Sequence, residues 1–144
     1  MTARHTLTGR LTVPLPPEEA FTLFTPRGEE RWVEGWRPRF PAPAPDDTAP
    51  GTVFETSHAE PTTWVVLERR PGRRISYARV TPGVRAGTVT VTLTADGDRR
   101  STVEVTYDLT ALTPGAAEDL DRFAADYPAF LRSWQDALTH ADEG

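Results

Sequence analysis

The chain has 144 residues, no cysteine, sixteen basic residues that are all arginine, and a formal net charge of −5. This inventory excludes disulfides, thiolate metal sites, thiol nucleophiles and lysine Schiff bases. Residues 114–144 carry seven carboxylates against two arginines, which accounts for the whole net charge, so no general field favours nucleic acid or an anionic membrane.

The length is typical of one domain, and we expect a single domain over residues 1–144. The first residues lack the apolar core of a signal peptide, and no stretch approaches the roughly 18 apolar residues that span a bilayer. These features predict a soluble, cytoplasmic protein without membrane insertion.

The N-terminal part predicts a strand followed by two short helices. Apolar residues alternate with threonines over residues 5–13, which is the period of a half-buried strand. Pro16, Pro17 and the two glutamates after them open a short helix. Trp32 and Trp36 lie one helical turn apart and predict a second short helix over residues 28–35.

Five prolines between residues 38 and 50 exclude both helix and sheet from this segment. Two interpretations remain open for it. It is either a loop or mobile lid over the mouth of a pocket, or a passive connection on the surface.

Residues 52–110 predict a run of antiparallel strands, in which one face is apolar and the other is rich in threonine. With the first strand, the sheet would have about six or seven strands. The predicted turns contain proline or glycine and lie at Glu60-Pro61, Pro71-Gly72, Pro82-Gly83 and Asp96-Gly97.

The C-terminal residues predict one long amphipathic helix that begins at Thr113-Pro114, with the Thr113 hydroxyl as its N-cap and proline at its first position. Its apolar stripe would cover the dry face of the sheet. The predicted fold is therefore α+β: a curved antiparallel sheet wrapped around a long C-terminal helix, with two short helices after the first strand. The stripe comprises Leu120, Phe123, Ala124, Tyr127, Leu131, Trp134 and Leu138.

This order of elements resembles the START-like superfamily, also called SRPBCC or Bet v 1-like, and its bacterial polyketide cyclase/dehydrase-like branch. The similarity covers nearly the whole chain. It implies a helix-grip fold and a cavity, but no fixed catalytic motif, since relatives include lipid carriers, aromatase/cyclases, hormone receptors and chaperone activators. The segments that carry it are Val13 to Phe24, Trp32 to Trp36, Thr63 to Leu67, Ile75 to Tyr77 and Phe130 to Trp134.

Two arginines suggest a feature of the ligand. If the hairpin turn centres on Pro82-Gly83, Arg79 lies directly across from Arg85 on the dry face, where like charges need a compensating anion. We therefore hypothesise that they meet a carboxylate of the ligand. Alternatively, both extend into water beyond the pocket rim, or Gly87 marks a bulge that reverses Arg85.

Aromatic side chains supply the other candidate contacts, although a stripe at helical spacing is more often core than cavity wall. His58 is the best placed of the three histidines, beside a strand end. No spacing of ligands indicates a metal, and no phosphate loop or nucleophile motif is present. The candidate ligand-binding residues are Trp32, Trp36, Phe54, His58, Trp64, Tyr77, Arg79, Arg85, Tyr107, Phe123, Tyr127, Phe130 and Trp134.

Three functions compete. The first is binding or carrying a small hydrophobic molecule, by a monomer or homodimer without cofactor, metal or nucleic acid. The second is a polyketide cyclase, aromatase or dehydratase in which tyrosine, arginine or His58 assists proton transfer. The third is a protein-interaction domain resembling Hsp90 activators, which the threonine-rich outer face of residues 88–94 disfavours.

Overall fold

The computed structural model describes residues 3–57 and 60–143, with side chains as far as residue 140. It contains six strands, a short α-helix, two 3-10 turns and one long α-helix. In chain order they are β1 (Arg4–Val13), α1 (Pro17–Phe21), the 3-10 turns Thr22–Phe24 and Gly28–Arg31, β2 (Val53–Thr56), β3 (Thr62–Arg70), β4 (Arg74–Thr81), β5 (Arg85–Ala95), β6 (Ser101–Ala111) and α2 (Pro114–Glu143).

The strands form one antiparallel sheet in the order β1-β6-β5-β4-β3-β2. The first strand thus pairs with the last, and the curved sheet presents its apolar side chains to α2. On β6 every second residue from Ser101 to Ala111 is buried, in keeping with a sheet covered on one face only. The predicted α+β helix-grip arrangement is confirmed, with six strands.

Helix α2 lies close against the edge strand β1 because Gly9 has no side chain. A Cβ atom at Gly9 would lie 2.3 Å from Cδ1 of Leu131. The amide of Gln135 accepts a hydrogen bond from the Thr12 backbone N–H at 2.8 Å and donates one to the Thr12 carbonyl at 2.7 Å. The helix therefore satisfies backbone groups that an edge strand would otherwise expose.

The second short helix is smaller than predicted. It is a single 3-10 turn, Gly28–Arg31, and both tryptophans follow it. Their indole N–H groups instead bind backbone carbonyls: Trp32 donates to Leu23 at 2.7 Å and Trp36 donates to Pro26 at 2.8 Å. These bonds fasten the segment to residues 23–26, and the Tyr77 hydroxyl of β4 in turn donates to the Phe24 carbonyl at 2.8 Å.

The β4–β5 hairpin has a different register from the predicted one. Gly83 takes a φ of +74°, and the turn closes through a 3.0 Å bond from the Val84 N–H to the Thr81 carbonyl. Thr81 pairs with Arg85, and Arg79 pairs with Gly87. The prediction that Arg79 lies directly across from Arg85 was therefore wrong, since the turn centres on Gly83.

The two arginines nevertheless share one face of the sheet as diagonal neighbours, because Arg79 is two residues from Thr81 on the same strand. Pairing on both sides of Gly87 continues without a register shift. The alternative that Gly87 marks a bulge reversing Arg85 is therefore wrong as well.

Candidate functional site

A cavity of about 340 Å³ lies between the inner face of the sheet, the segment around Gly28–Arg31 and helix α2. This volume falls in the range of small-molecule sites. Ten of the predicted residues line it, and most are aromatic. They are Trp36, Phe54, Trp64, Tyr77, Arg79, Arg85, Tyr107, Phe123, Phe130 and Trp134.

Three predicted residues are not on the described wall. Trp32 packs behind it, with its ring centroid 5.1 Å from that of Trp134. Tyr127 also lies behind it, because its hydroxyl donates to the Val105 carbonyl at 2.7 Å. His58 lies outside the described residues. Its suggested part in proton transfer stays a prediction.

Two groups of rings form the apolar walls. On the sheet side, Phe54 and Trp64 are stacked at 5.8 Å, and Tyr77 meets both edge-on. Tyr107 meets Phe130 edge-on at 5.7 Å on the helix side. The Tyr77 hydroxyl donates to a backbone carbonyl at 2.8 Å, so this phenol is already committed within the protein.

Arg79 places a largely unsatisfied cation on the cavity wall. One of its terminal nitrogens donates to the Thr81 hydroxyl at 3.1 Å, while its Nε is buried and has no partner among the described residues. Its guanidinium carbon lies 4.8 Å from the Trp64 ring centroid, which gives a cation–π contact. Burial lowers the pKa of Arg79, yet a guanidinium remains protonated at neutral pH.

Arg85, in contrast, has an anion of its own. It donates to the Glu60 carboxylate at 3.1 Å, and both residues line the cavity. Its side chain is only 20% exposed, so this pair is partly shielded from water. Both arginines thus point into the cavity and not beyond its rim. Among the residues that the structure describes, a carboxylate of the protein pairs with Arg85 but none pairs with Arg79.

Glu29 is the functional candidate that sequence reasoning missed. It lines the cavity, and burial raises the pKa of its carboxyl group well above the usual range. Within the described part of the chain, no ion pair or hydrogen bond engages this carboxyl group. The sequence did contain a signal that could have identified Glu29. Glu29, Val33 and Trp36 have the i, i+4, i+7 spacing of one helical face, and all three line the cavity.

Tyr107 adds a second uncommitted polar group. Its side chain is buried on the cavity wall, and burial raises the pKa of the phenol, which Glu29 raises further and Arg79 opposes. Its hydroxyl has no hydrogen-bond partner among the residues that the structure describes. The other lining residues that sequence reasoning missed are Val33, Thr56, Glu60, Thr62, Val89, Val91 and Leu109.

Replacing Glu29 by Gln should raise stability at high pH. Because burial raises the pKa of Glu29 in the folded state, the native protein loses stability as pH rises from the unfolded pKa to the folded one. Gln carries no such penalty. We expect the advantage of the variant in urea unfolding to grow as pH rises above the usual pKa range of a glutamate, from about pH 5 upward. A constant difference between the two proteins would contradict this burial of the carboxyl group.

The proline-rich segment does not border the cavity, since none of residues 38–50 lines it. Several contacts fasten it, and two of them are ion pairs. Arg39 pairs with Glu55 through backbone and side chain, and Asp46 binds Arg69. These contacts favour the interpretation as a passive surface connection over that of a lid.

Residues 3–57 and 60–143 contain neither a metal-binding cluster nor a membrane-spanning helix. No cluster of three or more histidine, aspartate or glutamate side chains there could hold a metal ion. Among the helices in those ranges, none has both the length and the apolar character needed to cross a membrane.

The sheet, the long C-terminal helix and the cavity between them define a domain of the helix-grip class. Residues 4–138 match the model of the family described as polyketide cyclase / dehydrase and lipid transport. The chain belongs to this family.

Solved structures share the fold at low sequence identity. An uncharacterized protein from Rhizobium leguminosarum superposes with a TM-score of 0.69 at 14% identity, covering 97% of both chains. Norcoclaurine synthase from Thalictrum flavum, in complex with dopamine and hydroxybenzaldehyde, gives 0.67 at 11% identity and covers 96% of this chain and 86% of its own. DynU16, a protein of the dynemicin biosynthetic locus, gives 0.65 at 19% identity over 93% of this chain and 47% of its own.

One curated protein matches part of the sequence. It is a 3-isopropylmalate dehydratase small subunit from Micrococcus luteus, 36% identical over 67 residues. The match covers 46% of this chain and spans about a third (33%) of the length of that relative. An overlap of this extent says nothing about a shared activity.

Proposed function

We propose that the protein binds and carries a small, mostly apolar molecule whose carboxylate pairs with Arg79. The observation that carries this proposal is the buried guanidinium of Arg79, which faces the cavity while its Nε has no partner among the described residues. A buried cation is costly unless an anion neutralises it. A ligand carboxylate would supply that anion and could accept two parallel hydrogen bonds from the guanidinium.

The rest of the cavity supports an apolar body for this ligand. Aromatic rings from β2, β3, β4, β6 and α2 form most of its wall, and apolar side chains of β5 complete it. Such walls bind flat apolar molecules through burial and ring contacts, while a few polar groups fix orientation. The family's description, which includes lipid transport, agrees with a carrier.

The second candidate is an enzyme of the polyketide cyclase type acting in the same cavity. The uncommitted Glu29 carboxyl group and Tyr107 hydroxyl favour it, because proton transfer needs groups that are free to engage the substrate. The presence of a synthase among the structural neighbours shows that the fold accommodates catalysis. Incubation with aromatic polyketide acids and acyl thioesters, followed by liquid chromatography and mass spectrometry, separates the two: a new product establishes an enzyme, whether it has lost water or is a cyclised isomer of unchanged mass and different retention.

Replacing Arg79 by Met tests the proposed carboxylate contact. We expect 2-naphthoate to bind about 10- to 100-fold more weakly to the variant in calorimetric titrations, since hydrogen bonds to charged groups contribute about 1.5–3 kcal/mol. The neutral analogue 2-naphthalenemethanol should bind both proteins equally.

The matched control is Arg100→Met, which removes an exposed arginine paired with Asp96 and distant from the cavity wall. It should leave both affinities unchanged. Equal binding of 2-naphthoate to the native protein and to Arg79→Met would overturn the proposal.

A further inference from the structure

Glu29 and Arg79 reach the cavity from different elements. Glu29 belongs to the 3-10 turn Gly28–Arg31, whereas Arg79 belongs to β4, where it pairs with Trp64 of β3. The residues before this turn are bonded to β4 two residues before Arg79, since the Tyr77 hydroxyl donates to the Phe24 carbonyl at 2.8 Å. A molecule that contacts both Glu29 and Arg79 would therefore extend from one element to the other.

The charges on the wall do not cancel. Arg85 and Glu60 neutralise one another, which leaves the cation of Arg79 and the carboxyl group of Glu29. An ionised Glu29 would be a second uncompensated charge in an apolar enclosure, at high cost. Held as the neutral acid, it leaves the cavity with one excess positive charge, which matches a monoanion. The titratable side chains on the wall are Glu29, Glu60, Tyr77, Arg79, Arg85 and Tyr107.

We infer that Glu29 is a second anchor of this site, donating a hydrogen bond from its protonated carboxyl group to an uncharged carbonyl or hydroxyl oxygen of the ligand. The inference rests on the proposed function, because it takes the carboxylate of the same ligand to be held by Arg79. It narrows the ligand class to an elongated, largely apolar monoanion with a carboxylate at one end and a neutral oxygen function at the other. Tyr107 lines the same cavity, so its hydroxyl can supply a further hydrogen bond to such a molecule.

Three related probes test this class: 2-naphthoate, 6-acetyl-2-naphthoate and 6-(aminomethyl)-2-naphthoate. The native protein should bind the acetyl compound about 3- to 10-fold more tightly than plain 2-naphthoate, as expected for one additional hydrogen bond. Glu29→Gln should keep this preference, because its amide still donates. Glu29→Met should lose it and bind both compounds alike.

The dependence on pH gives an independent readout. Because the donor must be protonated, the preference of the native protein for the acetyl compound should decline as pH rises through the pKa of Glu29, which burial raises well above its usual range. The preference of Glu29→Gln should stay constant with pH. A native preference that does not change with pH would overturn the inference.

The remaining outcomes distinguish failure of the Glu29 anchor from failure of the proposed function. Tightest native binding of the aminomethyl compound, lost in Glu29→Gln, would show an ionised Glu29 that pairs with an ammonium group and would overturn the inference. Equal affinities for the acetyl compound and 2-naphthoate in the native protein would show that Glu29 contacts neither. In both cases 2-naphthoate would still bind through Arg79, so the proposed function would survive. Loss of sensitivity to Arg79→Met would instead defeat the proposed function itself.

Discussion

Gly87→Ala is expected to lower the free energy of unfolding by about 3 kcal/mol, at the upper end of overpacking effects. A Cβ atom at this position would lie 1.9 Å from the carbonyl oxygen of Asp108. The clash is with backbone inside the β5–β6 ladder, near its Arg85 end, where Gly87 pairs with Leu109. The strands can relieve it only by separating and weakening their hydrogen bonds. Urea unfolding of the purified variant measures the loss.

The control is Gly115→Ala in the first turn of α2. No atom lies within 4 Å of a Cβ built there, so stability should equal or slightly exceed that of the native protein, as alanine is the better helix former. Because Gly87 also pairs with Arg79, separating the strands should weaken 2-naphthoate binding as well. A Gly87→Ala protein as stable as Gly115→Ala would mean that the close approach of β5 and β6 is not required.

The sequence predicted the architecture well because the relevant signals are local. The alternation of β6 and the N-cap of Thr113 each identify an element without knowledge of its neighbours. In the structure the Thr113 hydroxyl indeed accepts a hydrogen bond from the Ala116 N–H at 3.1 Å. The predicted turn at Pro82-Gly83 was found, but its exact centre was not, because a Pro-Gly pair is compatible with more than one register.

The polar part of the site was harder to predict. Whether Arg79 has an anionic partner depends on where Glu60 lies, and Glu60 reaches Arg85 from another strand connection. Glu29 was overlooked because two adjacent glutamates in a short helical segment ordinarily face water. Its position on the wall follows from the way the segment is fastened under the sheet, which no local pattern reports.

The same limit applies to the aromatic candidates, since their sequence spacing did not show which of them line the cavity. Trp32 and Trp36 have the same residue type and lie one turn apart, yet only Trp36 lines the cavity. The end of the 3-10 turn at Arg31 turns the Trp32 ring toward Phe24 and Trp134. Helical spacing alone assigns both rings to one face, so the distinction required the tertiary fold.

Phe54→Ala should cost about 3–5 kcal/mol in unfolding free energy, the range for removal of a buried aromatic ring. Phe54 is 1% exposed and holds together the sheet-side wall of the cavity. It is stacked on Trp64 and meets Trp36 and Tyr77 edge-on at 6.1 and 5.9 Å. Aromatic pairs of this kind contribute beyond the area that they bury. Thermal and urea unfolding measure the loss.

Phe40→Ala is the matched control, since Phe40 contacts Phe54 at 5.7 Å but is only half-buried and does not line the cavity. Its loss of stability should be clearly smaller. Removing Phe54 also frees Trp64, over which the Arg79 guanidinium lies, so the variant should bind 2-naphthoate more weakly although Arg79 is intact. Unchanged affinity with greatly reduced stability would show that Arg79 is held by its bond to Thr81 and not by the Trp64 ring. The aromatic packing of the wall and the position of the Arg79 charge would then be independent of each other.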